Sequence, residues 1–202
     1  MHKGQDEKRP VSGGLEALIA RADGVGGDKP PVHKWNPPDC GMIDMRIASD
    51  GLWYYMGTPI GREALVRLFA SVLRKDDDAY VLVTPVEKVG IVVDDAPFVA
   101  VDMQVCREND RQYLTLRTNV GDIVTVDGAH PLRFEDENQT EGLKPYVLVR
   151  DRLEAKLARP LLYELAEIGV VEKCDEGPYF GVWSAGIFFP MVPESEIAEL
   201  ME

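Results

Sequence analysis

The side chains with most chemical reach lie between residues 35 and 74. There Asp44, Arg46 and Arg62 are interleaved with an apolar set of Ile43, Met45, Ile47, Trp53, Leu65 and Phe69. Asp44 and Arg46 stand two apart, so on a strand they share one face. They form either an exposed pair of little energetic weight or part of a cleft wall. Trp53 and Tyr55 alternate with Tyr54, so one face of the next strand offers an aromatic surface against which a planar ring stacks. Arg62 in the first of two helices and Arg159 in the second stand near helix starts. A cation there opposes the helix dipole, yet a guanidinium beside free N–H groups also suits an anion.

Catalytic signatures are absent from the sequence. Gly181-Val182-Trp183-Ser184-Ala185-Gly186 places its serine one position away from a nucleophile elbow. The histidines, His2, His33 and His130, are far apart, and no H-E-x-x-H or phosphate-binding G-x-x-x-x-G-K-[ST] occurs. Gly24-Val25-Gly26-Gly27 has half a dinucleotide fingerprint but runs into Pro30-Pro31, where a helix should open. Cys40, Cys106 and Cys174 are too widely spaced for a zinc ribbon or a redox pair. Lys75-Asp76-Asp77-Asp78 lacks the alternation, glycine and distal Glu of a calcium loop and reads as a solvated turn. These readings imply no cofactor and no metal.

The elements that must position the candidates follow from periodicity. Alternation over 42–49, the Asp50-Gly51 turn and the run 52–56 predict a hairpin. Thr58 as N-cap and Pro59 as first residue predict a helix to about Arg74, carrying Leu65, Leu68, Phe69 and Val72 on one face. Strands are expected at 80–84 and 89–93, a hairpin at 98–107 and 112–118, and strands at 123–126 and 131–134. Strands at 146–149 and 153–157, a helix opened by Pro160 and a strand pair near the C-terminus complete the chain. Ser12 is a candidate cap for a helix carrying Leu15, Leu18 and Ile19, followed by a Gly/Pro-rich linker at 24–34. The expected organisation is α+β: a helix and linker (1–34), an α+β domain (35–96) and a β-rich α+β domain (97–202), with largely antiparallel sheets. The order strand, strand, helix, strand recurs at 42–93 and 146–192, which suggests an internal duplication.

Composition narrows function. A hydrophobic content of 45% supplies a core, and a net charge of −13 opposes a grip on long nucleic acid. No apolar run approaches the ~20 residues of a membrane span, and Met1–Pro10 lacks the apolar stretch of a secretory signal. A reduced, cytoplasmic protein is expected.

One resemblance adds to this. Trp35, Cys40-Gly41, Ile43-Asp44-Met45-Arg46-Ile47, Asp50-Gly51-x-Trp53-x-Tyr55, Ile60-x-Arg62-x-x-Leu65 and Tyr80-x-Leu82-x-Thr84-Pro85-x-Glu87 resemble an uncharacterised proteobacterial family of unknown function. Val149-Arg150-x-x-Leu153-x-Ala155-x-x-x-Arg159 and Ser184-x-Gly186-x-x-Phe189 resemble the same family. The resemblance implies two α+β domains with a duplicated core, the C-terminal one superficially like the pleckstrin-homology fold. It also implies a nucleotide-like ligand at an interdomain cleft and a role in signalling. The ligand-binding candidates carried over are Asp44, Arg46, Trp53, Arg62, Thr84, Glu87, Arg150 and Arg159. The leading expectation is a non-catalytic binding protein for a small anion. The alternatives are a protein-interaction adaptor using a C-terminal sheet edge and a nucleotide-processing enzyme with Asp44 and Glu87 as acid and base.

Overall fold

A computed structural model describes residues 19–20, 30–137 and 142–197. The expected N-terminal helix, apart from Ile19, and most of the linker lie outside the described residues. The chain divides into two compact units between Asp94 and Asp95. It is mostly β, with α1 (Glu63–Ser71) and α2 (Arg159–Glu167) among the described residues.

The first unit holds a six-stranded sheet of β1 (Asp39–Ile47), β2 (Trp53–Tyr55), β3 (Thr58–Pro59), β4 (Leu73–Asp76), β5 (Ala79–Val83) and β6 (Lys88–Val93). Its order is β3-β2-β1-β6-β5-β4, antiparallel throughout except for the central β1/β6 pair. Alternation in β1 buries Met45 and Ile47 and exposes Asp44 and Arg46. The predicted helix start is corrected. Thr58 and Pro59 pair with Tyr55 and Tyr54 as an edge strand, where a residue without an N–H is tolerated, and Arg62 becomes the N-cap of α1. The helix also stops short of Arg74, because Leu73 onward pairs with β5. Hence Lys75 and Asp76 are strand residues, not part of a solvated turn.

The second unit holds β7 (Phe98–Glu108), β8 (Arg111–Thr118), β9 (Ile123–Thr125), β10 (Leu132–Glu137), β11 (Gly142–Arg150) and β12 (Leu153–Leu157), in the order β10-β11-β12-β7-β8-β9. A smaller sheet follows α2: β13 (Val170–Cys174), β14 (Gly177–Ser184) and β15 (Ile187–Pro193). In β12, Leu153, Ala155 and Leu157 are buried in strict alternation.

The two six-stranded sheets share one topology. In each, an antiparallel three-stranded meander is followed by a second, and the first strand lies parallel beside the last. The likeness therefore relates β1–β6 to β7–β12, and the expected pairing of 42–93 with 146–192 is corrected. The helix misleads because α1 sits between the two meanders of its sheet, whereas α2 follows the second meander of its own.

Several hairpin tips carry non-glycine residues in the left-handed region, among them Asn109 (φ 50°) and Asp110 (φ 62°) between β7 and β8, and Ala185 (φ 51°) before Gly186 (φ 80°) between β14 and β15. Consecutive positive φ values are those of the type I′ turns that match strand twist. Ala185 lacks the polar side chain that makes this region tolerable. Ala185→Gly is expected to raise unfolding free energy by about 0.5–1 kcal/mol, the relief of strain exceeding glycine's entropic cost. A higher denaturation midpoint at unchanged slope is the readout.

Candidate functional site

The residues singled out from the sequence are mostly occupied by the fold. Arg46 donates through Nε to both carboxylate oxygens of Asp94 at 2.8 and 3.0 Å and through a terminal nitrogen to one of them. Its guanidinium also lies 6.0 Å from the centre of the Tyr54 ring. The hydrogen bonds from Arg46 pull the Asp94 carboxyl below its ordinary value. Asp44 is exposed on the same face of β1. Trp53 is not a stacking surface: it is 1% exposed and packs on Phe69, ring centres 6.2 Å apart. Its indole N–H has no partner among the described residues.

Thr84 is buried and shapes the β5–β6 turn, its N–H donating to the Glu87 carbonyl at 2.9 Å and its Oγ1 accepting from the Glu87 N–H at 3.2 Å. Glu87 is buried too. Arg62 is exposed and its side chain does not cap α1. In the second unit, Arg150 pairs with the buried Asp122 and lies 4.8 Å from the centre of the Phe98 ring. Arg159 donates to the Tyr163 hydroxyl one turn along α2 at 3.1 Å. Thus Arg46 and Arg150 already hold carboxylates, and Trp53, Thr84 and Glu87 are buried.

Two further clusters are architectural. In the first unit, Asp76 accepts from Arg74 at 2.6 Å and from Lys88 at 3.1 Å, while Arg74 also donates to the carbonyls of Val32 and Trp35. In the second, Asp95 accepts from the Tyr146 hydroxyl at 2.8 Å and from Lys156 at 2.9 Å. Hydrogen bonding from Arg74 holds the Asp76 carboxyl low. Burial pushes Asp95 up, but the bonds from Lys156 and Tyr146 outweigh it and hold that carboxyl low as well. Both groups titrate lower folded than unfolded. Their stabilisation is therefore fully present above the ordinary carboxylate value of about 3.9 and is lost as pH falls through the folded values. Asp76→Asn is expected to be less stable than the parent at neutral pH. The gap should narrow as pH falls below the ordinary carboxylate value and through the lower folded one, as read by denaturant unfolding at a series of pH values.

Residues other than those singled out from the sequence line a recess in the second unit. Beside the β7–β8 tip is a recess of about 660 Å³ lined by Arg107, Arg111, Asn109, Asp110 and Gln112 from the hairpin. The end of α2 and start of β13 add Ile168 and Val170, and the β14–β15 hairpin adds Trp183 and Gly186. The two-residue turn sets Glu108 opposite Arg111 and Arg107 opposite Gln112. The tips are tied together: Gln112 Nε2 donates to the Trp183 carbonyl at 2.8 Å, and the Ala185 N–H donates to the Gln112 carbonyl at 2.8 Å. Ser184 is no nucleophile. It is buried, donates to the Val126 carbonyl at 2.6 Å and accepts from the Leu114 N–H at 3.0 Å, which fastens β14 to the larger sheet.

The side chains of Arg107 and Arg111 are exposed and make no hydrogen bond or ion pair with another described residue. Both were visible in the sequence as cations flanking a predicted turn, Cys106-Arg107-Glu108-Asn109-Asp110-Arg111. Their common destination followed only from the second hairpin folding against the first. Among the described residues, no group of three or more His, Cys, Asp or Glu is placed to hold a metal ion.

Comparison with known proteins gives the lineage. Residues 30–96 match the N-terminal domain, and residues 97–191 the C-terminal domain, of the DUF1285 proteins of unknown function. The chain belongs to the DUF1285 family. A DUF1285 family protein of Silicibacter pomeroyi DSS-3, known by crystal structure, is 48% identical, with a TM-score of 0.82 over 90% of this chain and 97% of that one. A DUF1285 family protein of Shewanella baltica OS155 is 32% identical, with a TM-score of 0.50 over 60% of this chain and 89% of that one. Among curated proteins none matches. The family names no activity, so a functional reading rests on the geometry of the site.

Proposed function

We propose that this DUF1285 protein is a non-catalytic binding protein for a small anionic ligand, acting in signal transduction in the cytoplasm, with Arg107 and Arg111 as its anion contacts. One observation carries the reading. In a chain of net charge −13, Arg46, Arg67, Arg74, Arg117, Arg133 and Arg150 are all paired with carboxylates. Arg62, Arg107, Arg111 and Arg152 have no such partner among the described residues, and of these Arg107 and Arg111 stand on the wall of one recess. Guanidinium groups bind carboxylate and phosphate oxygens through paired N–H donors. The recess volume falls within the range of about 300–1,000 Å³ usual for small-molecule sites. Free Cys40, Cys106 and Cys174 are consistent with a reducing compartment, and no described helix is long and apolar enough to cross a membrane.

A thermal-shift screen with pyrophosphate, nucleotides and cyclic nucleotides tests this. At ligand concentrations about a hundredfold above Kd, stabilisation is about 2.7 kcal/mol, a shift of several degrees. The Arg107→Ala/Arg111→Ala double variant is expected to lose that response. A panel without any stabilising member, or an undiminished response in the double variant, contradicts the assignment.

A second reading, a protein-interaction adaptor, draws on β13. Among the described residues this strand pairs only with β14, in unbroken register, and exposes Val170 and Val171. Such an edge accepts an added peptide strand. Recovery of one stoichiometric protein partner, lost on placing proline at Val171 and kept in the Arg107/Arg111 variant, would favour it.

A further inference from the structure

We propose that the recess selects anions carrying a flat aromatic ring, and that Trp183, oriented by Glu172, makes that selection. This rests on the reading that Arg107 and Arg111 take the anion, and it adds the second half of the ligand.

Strand β14 alternates. Phe180, Val182 and Ser184 are buried on one face, so Trp183 points to the other. Phe188 stands opposite it on β15, ring centres 5.4 Å apart and planes inclined by 51°. An added Cβ at Gly181 would meet the Phe189 carbonyl oxygen at 2.3 Å, the Phe188 ring at 2.7 Å and Pro190 Cα at 2.9 Å, so glycine there serves the close approach of the β15 backbone as well as the Phe188 ring. An aromatic pair that served only to fill a core would be enclosed. Trp183 is 37% exposed and lines the recess together with Ile168, Val170 and the arginines.

The indole is also held. Its Nε1–H donates to Glu172 at 3.1 Å, and Gln112 fixes the backbone carbonyl of the same residue. An indole restrained at both ends presents its plane with little further ordering on binding, which is how pre-organised aromatic anchors gain affinity. Trp183 and the cations thus form one wall with a stacking surface and an anion contact. The complementary ligand is an aromatic ring linked to phosphate or carboxylate. Glu172 is a positioning residue, acting on the ligand through the orientation of Trp183.

The test is an NMR titration of the full chain with adenosine monophosphate, phenyl phosphate and inorganic phosphate. The wild type is expected to bind the ring-bearing phosphates about tenfold or more tightly than inorganic phosphate, the gain of one stacked ring. Trp183→Leu should bring the affinities of the three ligands to a common level, removing the advantage of the ring-bearing phosphates. Glu172→Leu should reduce the ring-bearing advantage, and Glu172→Gln, which keeps an acceptor for the indole N–H, should restore it. If inorganic phosphate still binds through Arg107 and Arg111 but the ratio between ligands is unmoved by Trp183→Leu and Glu172→Leu, ring selection is overturned and the anion site stands. If no ligand binds the wild type, both the anion site and ring selection fall.

Discussion

Trp53→Ala is expected to lower the stability of the first unit by about 3–5 kcal/mol, the range for truncating a large buried aromatic. The indole is enclosed beside Phe69, at the point where β2 crosses the apolar face of α1. Removing it leaves a cavity that Met45, Ile47 and Phe69, each fully buried and held by strand or helix pairing, are poorly placed to fill. Part of the loss is offset, because the variant no longer buries an indole N–H without a partner. Trp53→Phe removes that donor while keeping most of the volume, and its cost should be much the smaller of the two. Equilibrium denaturation of both variants is the measurement. A Trp53→Ala variant of parental stability would place the ring outside the core and return it to the list of ligand contacts.

Arg150→Ala is the second large effect, expected to cost about 3–5 kcal/mol because it strands a buried carboxylate. Asp122 is 9% exposed and its N–H donates to the Thr118 hydroxyl at 3.0 Å, so the turn before β9 holds it in place. Arg150 supplies the opposing charge and covers the Phe98 ring. The energetic weight lies in the unpaired partner more than in the pair, so Arg150→Met/Asp122→Asn should recover much of the loss. Denaturant titrations of Arg150→Met, Asp122→Asn and the double variant form the cycle. Additive costs would show that the two side chains act independently.

Strand positions were legible in the sequence wherever burial is one-sided. In β1, β7, β8 and β12 the alternation of apolar residues reports the face each side chain takes. The turn chemistry of Asp50-Gly51 and Asn109-Asp110 placed two hairpins correctly. The start of α1 was misread because Thr-Pro is a sound helix opening locally, and only pairing with Tyr54 and Tyr55 makes it a strand. The run after α1 was misread for a similar reason. Asp76 looks solvated until Arg74 and Lys88 are seen converging on it across β4 and β6.

The candidate site was less legible than the fold. Charge beside apolar residues drew attention to Arg46 and Arg150, yet each has a carboxylate supplied from another strand or turn, and such long-range pairing leaves no local trace. Arg107 and Arg111 stood in an ordinary hairpin tip. Their significance depends on what fails to pair with them and on Trp183 from a strand some seventy residues away in sequence, which Gln112 contacts. The family pattern was recognisable along both domains, but a family without an assigned activity transfers a fold and not a reaction.

The central claim is that the recess, and not Arg46, Arg62, Arg150 or Arg159, receives the anion. The most direct measurement follows the arginine side-chain N–H resonances of the isotopically labelled protein during titration with adenosine monophosphate. Saturable shifts confined to Arg107 and Arg111, together with the indole N–H of Trp183, are the predicted result. Shifts centred on Arg46, Arg62, Arg150 or Arg159, with Arg107 and Arg111 unmoved, would contradict it.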